Sequence, residues 1–383
     1  MDFVCVKNDL VFGVKLSSYA LGTRSSMPIL SGLKMEIEGD RLRLYATDLE
    51  RAVRCEITID NQVGDEAVVL NGAVLSQIAA HLPEDERITL KTDAENGTVV
   101  KLRCGEASFD LPTLPVEDYP EVPSLPQTKI ASLKVKNFHQ GLDQTAFATL
   151  KAAETTRLSL TGVDVVLKSA SLKMVATNGY RLAMKTVGVN EVFEEGEYLI
   201  DASVLTDLDR VLSQVEGETV DLYKGEGQLF FQSDGVTFMA RTIAEEFPDF
   251  ERVIPKENPI SLVFDRRAFL ETMQRIEITA AEESGAVTLR VANEESATRI
   301  NSADKVKGEA EERVRLKKVP QGEIEVSFKA EYLIDALKRM HSEETVLWLS
   351  SSEKAGLIEP SGEKIAPEDE GFLYVCMPVR LGG

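Results

Sequence analysis

A segment that recurs three times divides this 383-residue sequence into parts of similar length. Its three copies read GAVLSQIAAHLPEDERITL, ASVLTDLDRVLSQVEGETVDL and AEYLIDALKRMHSEETVLWL. The corresponding leucines are Leu75, Leu205 and Leu333, so the two intervals between the copies are nearly equal. Each interval has the size of a domain and exceeds the period of solenoid repeats. The spacing predicts three similar domains, over residues 1–125, 126–256 and 257–383.

A second duplication supports the same period. The run GLKMEIEGDRLRLYATDLERA from Gly32 aligns without a gap on GVDVVLKSASLKMVATNGYRL from Gly162. Thr47 in the first run therefore corresponds to Thr177 in the second, with the same offset that separates Leu75 from Leu205. The two runs mark the same part of the first and second repeats.

Apolar residues within the tripled segment share one face of a helix. Their spacing follows i, i+3, i+4, i+7, as at positions 75, 78, 79 and 82, which is typical of an amphipathic helix. A further helix is predicted near the start of each repeat, over residues 9–21, 137–149 and 266–278. Other segments alternate as strands do, for example Leu42–Tyr45. The predicted fold class is α+β, with two helices per domain packed on antiparallel sheets.

Acidic residues dominate the charge of the chain. Its 43 Lys and Arg residues against 64 Asp and Glu residues give a net charge of −21. Such a charge repels nucleic acid at long range, which argues against a conventional DNA-coating protein and confines any DNA contact to local basic groups. The hydrophobic fraction of 43% is enough for globular cores.

The first residues and the four cysteines indicate the compartment. Residues 1–7 lack the basic and apolar regions of a signal peptide, and no run approaches the roughly 18 apolar residues of a membrane span. Cys5, Cys55, Cys104 and Cys376 lie far apart without a C-x-x-C pair, which favours buried or reduced thiols over a zinc site or a disulfide framework. The sequence therefore predicts a cytoplasmic protein with no membrane partner.

Signatures of catalysis and of cofactor binding are weak. The three histidines, His81, His139 and His341, occur without metal-ligand spacing. The sequence contains no G-x-x-x-x-G-K-[ST] phosphate loop, and Gly225–Gly227 is typical of a hairpin turn. We predict no catalytic residue, no metal site and no cofactor.

Several motifs resemble those of one family, in order along the chain. They are RSSMPIL from Arg24, TDLE from Thr47, LPVEDYP from Leu114, ATNGYRLA from Ala176, FPDFERVIP from Phe247 and MPVRL from Met377. Each motif alone is weak, but together on a threefold repeat of this length they resemble the beta sliding clamps of bacterial DNA polymerase III. The resemblance covers the whole chain.

The resemblance implies a ring made of two chains. Each chain would supply three domains of the DNA-clamp fold, and the two chains would meet head to tail, with helices around a central hole and strands outside. The contact would join the first domain of one chain to the third domain of the other. Phe109, Leu111 and Ile278 map to this dimer interface, although an ordinary core position is equally compatible with these residues.

The resemblance also implies that the ring encircles double-stranded DNA without sequence preference. A ring retains DNA by enclosure, so a few mobile cations around the hole suffice to centre the duplex. The candidate DNA-binding residues are Arg24, Lys151, Arg210, Lys338 and Arg339. For Lys151, a solvated surface charge is an equal alternative.

A hydrophobic groove between the second and third domains is the partner-binding site that the family implies. It would accept short peptides from the DNA polymerase III alpha subunit, the clamp loader, other polymerases and repair proteins. An apolar floor with a flexible methionine would suit varied peptides. The groove residues mapped by motif are Leu160, Thr177, Gly179, Tyr180, Arg181, Leu182, Pro248, Arg252, Val253, Val375, Met377, Pro378, Val379, Arg380 and Leu381.

Some features depart from the family's usual pattern. Asn178 and Tyr180 stand where Asp and His are frequent, which could alter peptide preference without abolishing the groove. Gly382 and Gly383 extend past the usual terminal leucine. The third repeat also contains an acidic loop, predicted over residues 359–371, and its residues 297–312 repeat poorly.

Two other classes of protein remain open: an enzyme, and a protein-binding scaffold of the same architecture that never encloses DNA. Retention on nicked circular DNA before and after linearisation separates them, because only a ring is lost selectively on linearisation. Equal loss from both forms would favour the scaffold, and turnover of a small substrate would favour the enzyme.

Overall fold

The computed structural model describes residues 1–22, 27–64, 67–83, 87–93, 98–293 and 295–380. Contacts divide the chain into two compact units. The first contains Met1–Val135 and Ser203–Thr242, and the second contains Lys136–Ala202 and the chain from Ile243 onward. The middle predicted domain thus contributes residues to both units, and the three predicted domain boundaries stay a prediction. Four predicted positions lie outside the described residues: Arg24, Leu381, Gly382 and Gly383.

Six α-helices lie within the described residues. They are α1 (Lys7–Ser18), α2 (Gly72–His81), α3 (Val135–Asp143), α4 (Ala202–Leu212), α5 (Arg266–Glu277) and α6 (Ala330–Arg339). All six match predicted helices, two from each repeat, although α1 and α3 begin slightly earlier and end sooner than predicted. Two begin at a side-chain cap, where Asn71 accepts a hydrogen bond from the Val74 amide at 3.0 Å and Asp265 accepts one from the Ala268 amide at 2.9 Å.

Most of the remaining described chain forms antiparallel strands. They are β1 (Asp2–Val6), β2 (Gly32–Glu38), β3 (Arg41–Thr47), β4 (Arg51–Thr58), β5 (Asp60–Val63), β6 (Val68–Asn71), β7 (Arg87–Thr92), β8 (Val99–Cys104), β9 (Ala107–Leu114), β10 (Lys129–Lys134), β11 (Gly162–Lys168), β12 (Ser171–Thr177), β13 (Arg181–Gly188), β14 (Glu191–Val192), β15 (Gly196–Asp201), β16 (Thr219–Gly225), β17 (Gln228–Ser233), β18 (Val236–Arg241), β19 (Ile260–Asp265), β20 (Ala286–Val291), β21 (Ala297–Asp304), β22 (Gly308–Arg315), β23 (Ile324–Lys329), β24 (Glu344–Leu349), β25 (Gly356–Ser361) and β26 (Phe372–Cys376).

The first compact unit is built on one long sheet with helices packed against it. Its strands follow the order β10-β16-β17-β18-β4-β3-β2-β6-β9-β8-β7-β1-β5. Helix α1 packs on α2 and on strands β3 and β4, where Leu10, Val14 and Leu44 are buried. Strand β18 pairs with β4, so Ala52 lies opposite Met239.

The second compact unit contains two sheets. The larger has the order β15-β11-β12-β13-β26-β25-β24-β19, and the smaller has the order β22-β21-β20-β23. The pairing of β13 with β26 joins the second repeat to the third and sets Leu182 opposite Val375. The predicted α+β fold with helices on antiparallel sheets is confirmed.

The sequence repeat is reproduced at the level of single strands. The hairpin β3–β4 and the hairpin β12–β13 begin and turn at corresponding positions of the first two repeats, with Thr47 and Thr177 at the ends of their first strands. Gly225–Gly227 forms the predicted turn, because β16 ends at Gly225, β17 begins at Gln228 and Gly227 has a φ of 65°. Residues 297–312, which repeat poorly in sequence, fall within the hairpin β21–β22.

The acidic segment 359–371 is more ordered than the predicted loop. It contains the end of β25 and a 3-10 helix over Pro367–Asp369. The Asp369 carboxylate is buried and accepts hydrogen bonds from the amides of His341 at 2.8 Å and Ser342 at 2.6 Å and from the Gln144 amide group at 2.9 Å. One carboxylate therefore holds this segment against the end of α6, which the surrounding acidic residues gave no reason to expect.

The cysteines are structural. All four are buried thiols outside any disulfide, as their spacing predicted. Burial raises the pKa of the Cys5, Cys55 and Cys376 thiols to about 12, so they stay protonated at neutral pH and are poor nucleophiles.

Candidate partner-binding groove

An apolar cavity of about 180 Å³ opens on the surface of the second compact unit. Thirteen residues line it: Arg157, Leu160, Thr177, Gly179, Tyr180, Arg181, Leu182, Pro248, Asp249, Phe250, Val253, Val375 and Met377. Four parts of the chain supply them, namely the segment before β11, the turn between β12 and β13, the segment before β19 and the end of β26. We call this cavity the groove.

A tight turn between β12 and β13 forms one wall of the groove. The Thr177 hydroxyl donates to the Arg181 carbonyl at 2.7 Å and accepts from the Gly179 amide at 3.1 Å. The Asn178 side-chain oxygen accepts from the amides of Tyr180 and Arg181, each at 2.9 Å. Gly179 has a φ of 88°, a conformation that glycine adopts without steric cost. These bonds fix the direction in which Tyr180 and Arg181 leave the backbone.

Arg181 anchors this turn to the body of the unit. Its side chain is 8% exposed and donates to the Asp335 carboxylate at 2.7 Å and to the Phe147 carbonyl. The guanidinium lies 4.6 Å from the ring centre of Tyr332 and 5.3 Å from that of Phe147. Because both rings pack against it, Arg181 acts as a rigid part of the wall.

The floor of the groove belongs to a hydrophobic cluster. Leu182 and Val375, which face each other across β13 and β26, are buried together with Leu357. Phe250, in the segment before β19, packs against the same cluster. This floor is built into the sheet, so it is available without rearrangement of the backbone.

The rim of the groove is unusually apolar for a surface. Tyr180 is 66% exposed, Val253 is 50% exposed and Met377 is 39% exposed. The Met377 amide donates to the Tyr180 carbonyl at 2.8 Å, which holds these two rim residues side by side. Large exposed side chains around a concave floor are typical of a surface that another molecule covers.

Ten of the predicted groove residues line the cavity. The other four within the described residues do not: Arg252, Pro378, Val379 and Arg380. The Arg252 side chain is 84% exposed and pairs with Asp249 at 2.6 Å, and Arg380 lies 3.7 Å from Glu353. The Val379 amide donates to the Ser327 carbonyl at 2.8 Å, which directs that part of the chain towards β23.

Three lining residues were not predicted: Arg157, Asp249 and Phe250. Asp249 and Phe250 lie within the motif FPDFERVIP, so its alternation of aromatic and charged residues was a usable signal. Arg157 lies outside all of the motifs identified in the sequence. Its place depends on how the segment between α3 and β11 folds.

The predicted DNA-binding residues differ in how freely they can move. Lys151 and Lys338 are exposed. Arg210 is exposed near the end of α4, with its guanidinium 2.8 Å from Asp207. Arg339 is partly buried, and its guanidinium lies 4.2 Å from the ring centre of Phe147. Lys151, Lys338 and Arg210 therefore have more freedom to reach a ligand than Arg339 has.

The three predicted dimer-interface residues differ in how much of their side chains is exposed. Leu111 is buried beside β8, and Phe109 is half-buried opposite Leu102. Ile278 follows the last residue of α5 and is 70% exposed. Ile278 thus has the most apolar surface to offer to another chain.

Two further kinds of feature, metal sites and membrane-spanning helices, concern the described ranges of the chain. No group of three or more His, Cys, Asp or Glu side chains there is arranged to hold a metal ion. None of the helices described has both the length and the apolar character needed to cross a membrane.

Solved structures place this architecture in a class. A sliding clamp from Pseudomonas aeruginosa, the DNA polymerase III subunit beta bound to griselimycin, superposes with a TM-score of 0.90 at 25% identity, with both chains fully covered. Beta sliding clamps of Pseudomonas putida and Staphylococcus aureus are each 26% identical, over 100% and 99% of both sequences respectively. The fold and function are those of a DNA sliding clamp.

Family models define the chain more closely. The N-terminal, central and C-terminal domain models of the DNA polymerase III beta subunit match residues 1–123, 132–249 and 251–380. The chain belongs to the DNA polymerase III beta subunit family.

Proposed function

We propose that two copies of this chain close head to tail into a ring around duplex DNA and tether the DNA polymerase III alpha subunit to it. The groove carries this proposal, because it is a preformed apolar site of a size that suits a few side chains of a peptide. The clamp loader, other polymerases and repair proteins would use the same groove in turn. The protein would act in the cytoplasm without catalysing a reaction.

The charge of the chain supports retention by enclosure. A net charge of −21 opposes tight adsorption to phosphates, whereas a closed ring needs no strong contact to stay on DNA. Lys151, Arg210 and Lys338 would touch the backbone weakly and let the duplex slide. Arg24 would add to them, and Arg339, packed against Phe147, would contribute least.

Two incomplete strand pairings support the head-to-tail contact. Strand β22 is the last strand of its sheet, and residues 107–110 of β9 lie beyond its described pairing with β6. Exposed Lys101 and Arg103 lie one strand further away on β8, from where their long side chains could reach exposed Glu309 and Glu311 on β22. Such opposite charges favour joining β9 of one chain to β22 of another, with Ile278 covered in the contact.

Topological retention on DNA tests the ring. The protein is loaded by its clamp loader onto nicked circular DNA, and the fraction that stays bound is measured before and after linearisation with a restriction enzyme. We expect retention on the circle and rapid loss from the linear form. Equal loss from both forms would overturn the ring in favour of a protein-binding scaffold that does not enclose DNA.

A second measurement isolates the cations. Lys338→Ala and Arg210→Ala should each shorten the lifetime on circular DNA at low salt and reduce its dependence on salt concentration, because each removes about one phosphate contact. The matched control is Arg290→Ala, which removes an exposed arginine paired with Glu325 at 2.9 Å, as Arg210 is paired with Asp207 at 2.8 Å, but outside the proposed DNA-binding residues. An equal effect of all three variants would assign the DNA contact to general charge.

A further inference from the structure

The first compact unit contains a counterpart of the groove turn. The Thr47 hydroxyl donates to the Arg51 carbonyl at 2.7 Å and accepts from the Leu49 amide at 3.0 Å. The Asp48 carboxylate accepts from the amides of Glu50 at 3.0 Å and Arg51 at 2.8 Å. Thr177 and Asn178 make the same bonds at the corresponding positions of the second repeat.

The anchor of the turn is repeated as well. Arg51 forms an ion pair with Asp207 on α4, just as Arg181 pairs with Asp335 on α6. Leu49 has a φ of 78°, close to the 88° of Gly179. The backbone of the two turns is therefore equivalent.

The floor beside each turn is apolar and occupies equivalent strand positions, although its side chains differ. In the first unit Ala52 lies opposite Met239 and Met239 lies opposite Phe230, and all three are buried. In the second unit the same strand positions hold Leu182, Val375 and Leu357.

The segment that covers each floor is repeated too. Val122 and Leu125 pack on the first floor, and Phe250 and Ile254 pack on the second. The first unit thus has the turn, the floor and the covering segment of a groove.

The two sites differ most in polarity at three rim positions. Leu49 replaces Gly179, Glu50 replaces Tyr180 and Arg241 replaces Met377. The backbone at the rim is unchanged, since the Arg241 amide donates to the Glu50 carbonyl at 2.8 Å, as the Met377 amide donates to the Tyr180 carbonyl at 2.8 Å. The side chains differ in chemistry: the Arg241 guanidinium lies 3.5 Å from the Glu50 carboxylate.

We propose that these three rim positions decide which of the two equivalent sites accepts a partner peptide. Gly179, Tyr180 and Met377 open the groove, and Leu49, Glu50 and Arg241 close its counterpart. The proposal rests on the proposed peptide-binding function of the groove. It would confine the partner peptide to one of the two repeated turns.

The physical cause is desolvation. An apolar peptide that covers the counterpart must remove water from the Glu50 carboxylate and the Arg241 guanidinium. This desolvation costs free energy, because apolar side chains offer no hydrogen bonds to replace the lost water. The same peptide over Tyr180 and Met377 removes water from apolar surface, which favours binding. Leu49 adds a side chain where Gly179 leaves open space. The polarity of the rim side chains can therefore give different peptide affinities to two sites with equivalent backbone conformations.

A reciprocal exchange of the rims tests the proposal. The probe is a fluorescein-labelled peptide, chosen as the tightest binder to the wild-type protein among overlapping synthetic peptides that span the host polymerase III alpha subunit. The closing variant carries Gly179→Leu, Tyr180→Glu and Met377→Arg. The opening variant carries Leu49→Gly, Glu50→Tyr and Arg241→Met. Leu49 shows that a leucine can occupy this turn at a φ of 78°, although Gly179→Leu adds backbone strain at a φ of 88°, and glycine tolerates the reverse change.

Affinity and stoichiometry give the readout. We expect the closing variant to bind the probe at least tenfold more weakly than the wild type, and the opening variant to bind a second probe molecule per chain. Unchanged affinity of the closing variant, or no second probe on the opening variant, would overturn the rim proposal. If no peptide binds the wild type, the proposed groove function itself fails.

A crystal structure of the closing variant tests the geometry without any peptide. We expect the introduced carboxylate and guanidinium to lie within hydrogen-bond or ion-pair distance across the rim, as Glu50 and Arg241 do. Two introduced side chains that turn apart and leave the groove open would overturn the proposal even if the probe bound poorly. Thermal unfolding near the wild-type temperature establishes that lost binding does not come from lost structure.

Discussion

Arg181 donates to the Asp335 carboxylate at 2.7 Å and so ties the wall of the groove to helix α6. The pair joins residues 154 positions apart in the sequence. Arg51 and Asp207 form the corresponding pair on α4. Corresponding Arg–Asp ion pairs thus hold a strand turn against the helix of the following repeat at two places in the chain.

Removal of Arg181 should destabilise the second compact unit. Arg181→Ala leaves the Asp335 carboxylate, which is 25% exposed, with only the Arg339 guanidinium at 4.0 Å and removes packing between two aromatic rings. We expect a loss of about 2–4 kcal/mol in the free energy of unfolding, measured by urea denaturation. Arg252→Ala is the control, because that arginine is 84% exposed in its pair with Asp249 and should change stability by less than about 0.5 kcal/mol. Equal effects would contradict the anchoring role.

Asn178→Asp should stabilise the same turn. The Arg181 Nε is buried without a hydrogen-bond partner, whereas the equivalent Arg51 Nε donates to the second carboxylate oxygen of Asp48 at 3.0 Å. Asn178 has an amide nitrogen in place of that oxygen, and this nitrogen donates to the Tyr332 hydroxyl at 3.2 Å, which can donate to a carboxylate instead. We expect a gain of about 1 kcal/mol in urea unfolding, since a buried donor becomes satisfied. The reverse change Asp48→Asn in the first unit should destabilise, and a neutral result for both would contradict this account.

The buried carboxyl of Asp164 should make stability depend on pH. Burial within β11, together with nearby Glu197, raises its pKa to about 7 despite the opposing charge of Lys173. Between about pH 4 and pH 7 the folded state binds more protons than the unfolded state, so this group makes stability fall as pH rises. Above about pH 7 the Asp164 carboxyl is ionised in both states, so its destabilising effect on the folded state no longer grows.

Asp164→Asn removes that titration. We expect the variant to gain on the order of 4 kcal/mol over the wild type at pH 8 and little at pH 4, measured by urea unfolding across the range. Asp304→Asn is the control, because hydrogen bonds from the Lys307 and Val306 amides lower the pKa of its exposed carboxyl instead. A gain from Asp164→Asn that is independent of pH would contradict the titration.

Met377→Ala should weaken binding of the probe peptide without unfolding the protein. The side chain lines the groove and is 39% exposed, so its loss removes apolar contact from the ligand more than from the core. We expect about a tenfold weaker affinity, equivalent to about 1.4 kcal/mol, in fluorescence anisotropy titrations. Val379→Ala, close by in the chain but outside the lining, is the matched control and should bind normally.

Ile278→Asp should disrupt the head-to-tail contact. The side chain is 70% exposed in one chain, and an aspartate there would carry an unpaired charge into the interface. Sedimentation velocity should show the mass of one chain for the variant and of two chains for the wild type. Val319→Asp, which places the same charge at another exposed apolar position, is the control. A variant that remains a dimer would remove Ile278 from the interface.

Local sequence patterns were enough to find the helices and much of the groove. The i, i+3, i+4, i+7 spacing located α2, α4 and α6, because a helix that packs on a sheet must be apolar along one face. The motif ATNGYRLA located the turn of the groove, since the bonds of Thr177, Asn178 and Gly179 all form within that short motif. Arg252 and Arg380 lie outside the lining of the cavity, because a motif gives position along the chain but not side-chain direction.

The sequence by itself determined the period of the repeat, the α+β class and the turn that carries Tyr180 and Arg181. These follow from interactions between residues close together in the chain. Only the tertiary structure decided that Leu182 faces Val375, that Arg181 is held by Asp335, and that Glu50 meets Arg241 where Tyr180 meets Met377. The members of each pair belong to different repeats, and they meet only when strand register and helix packing bring the two segments together.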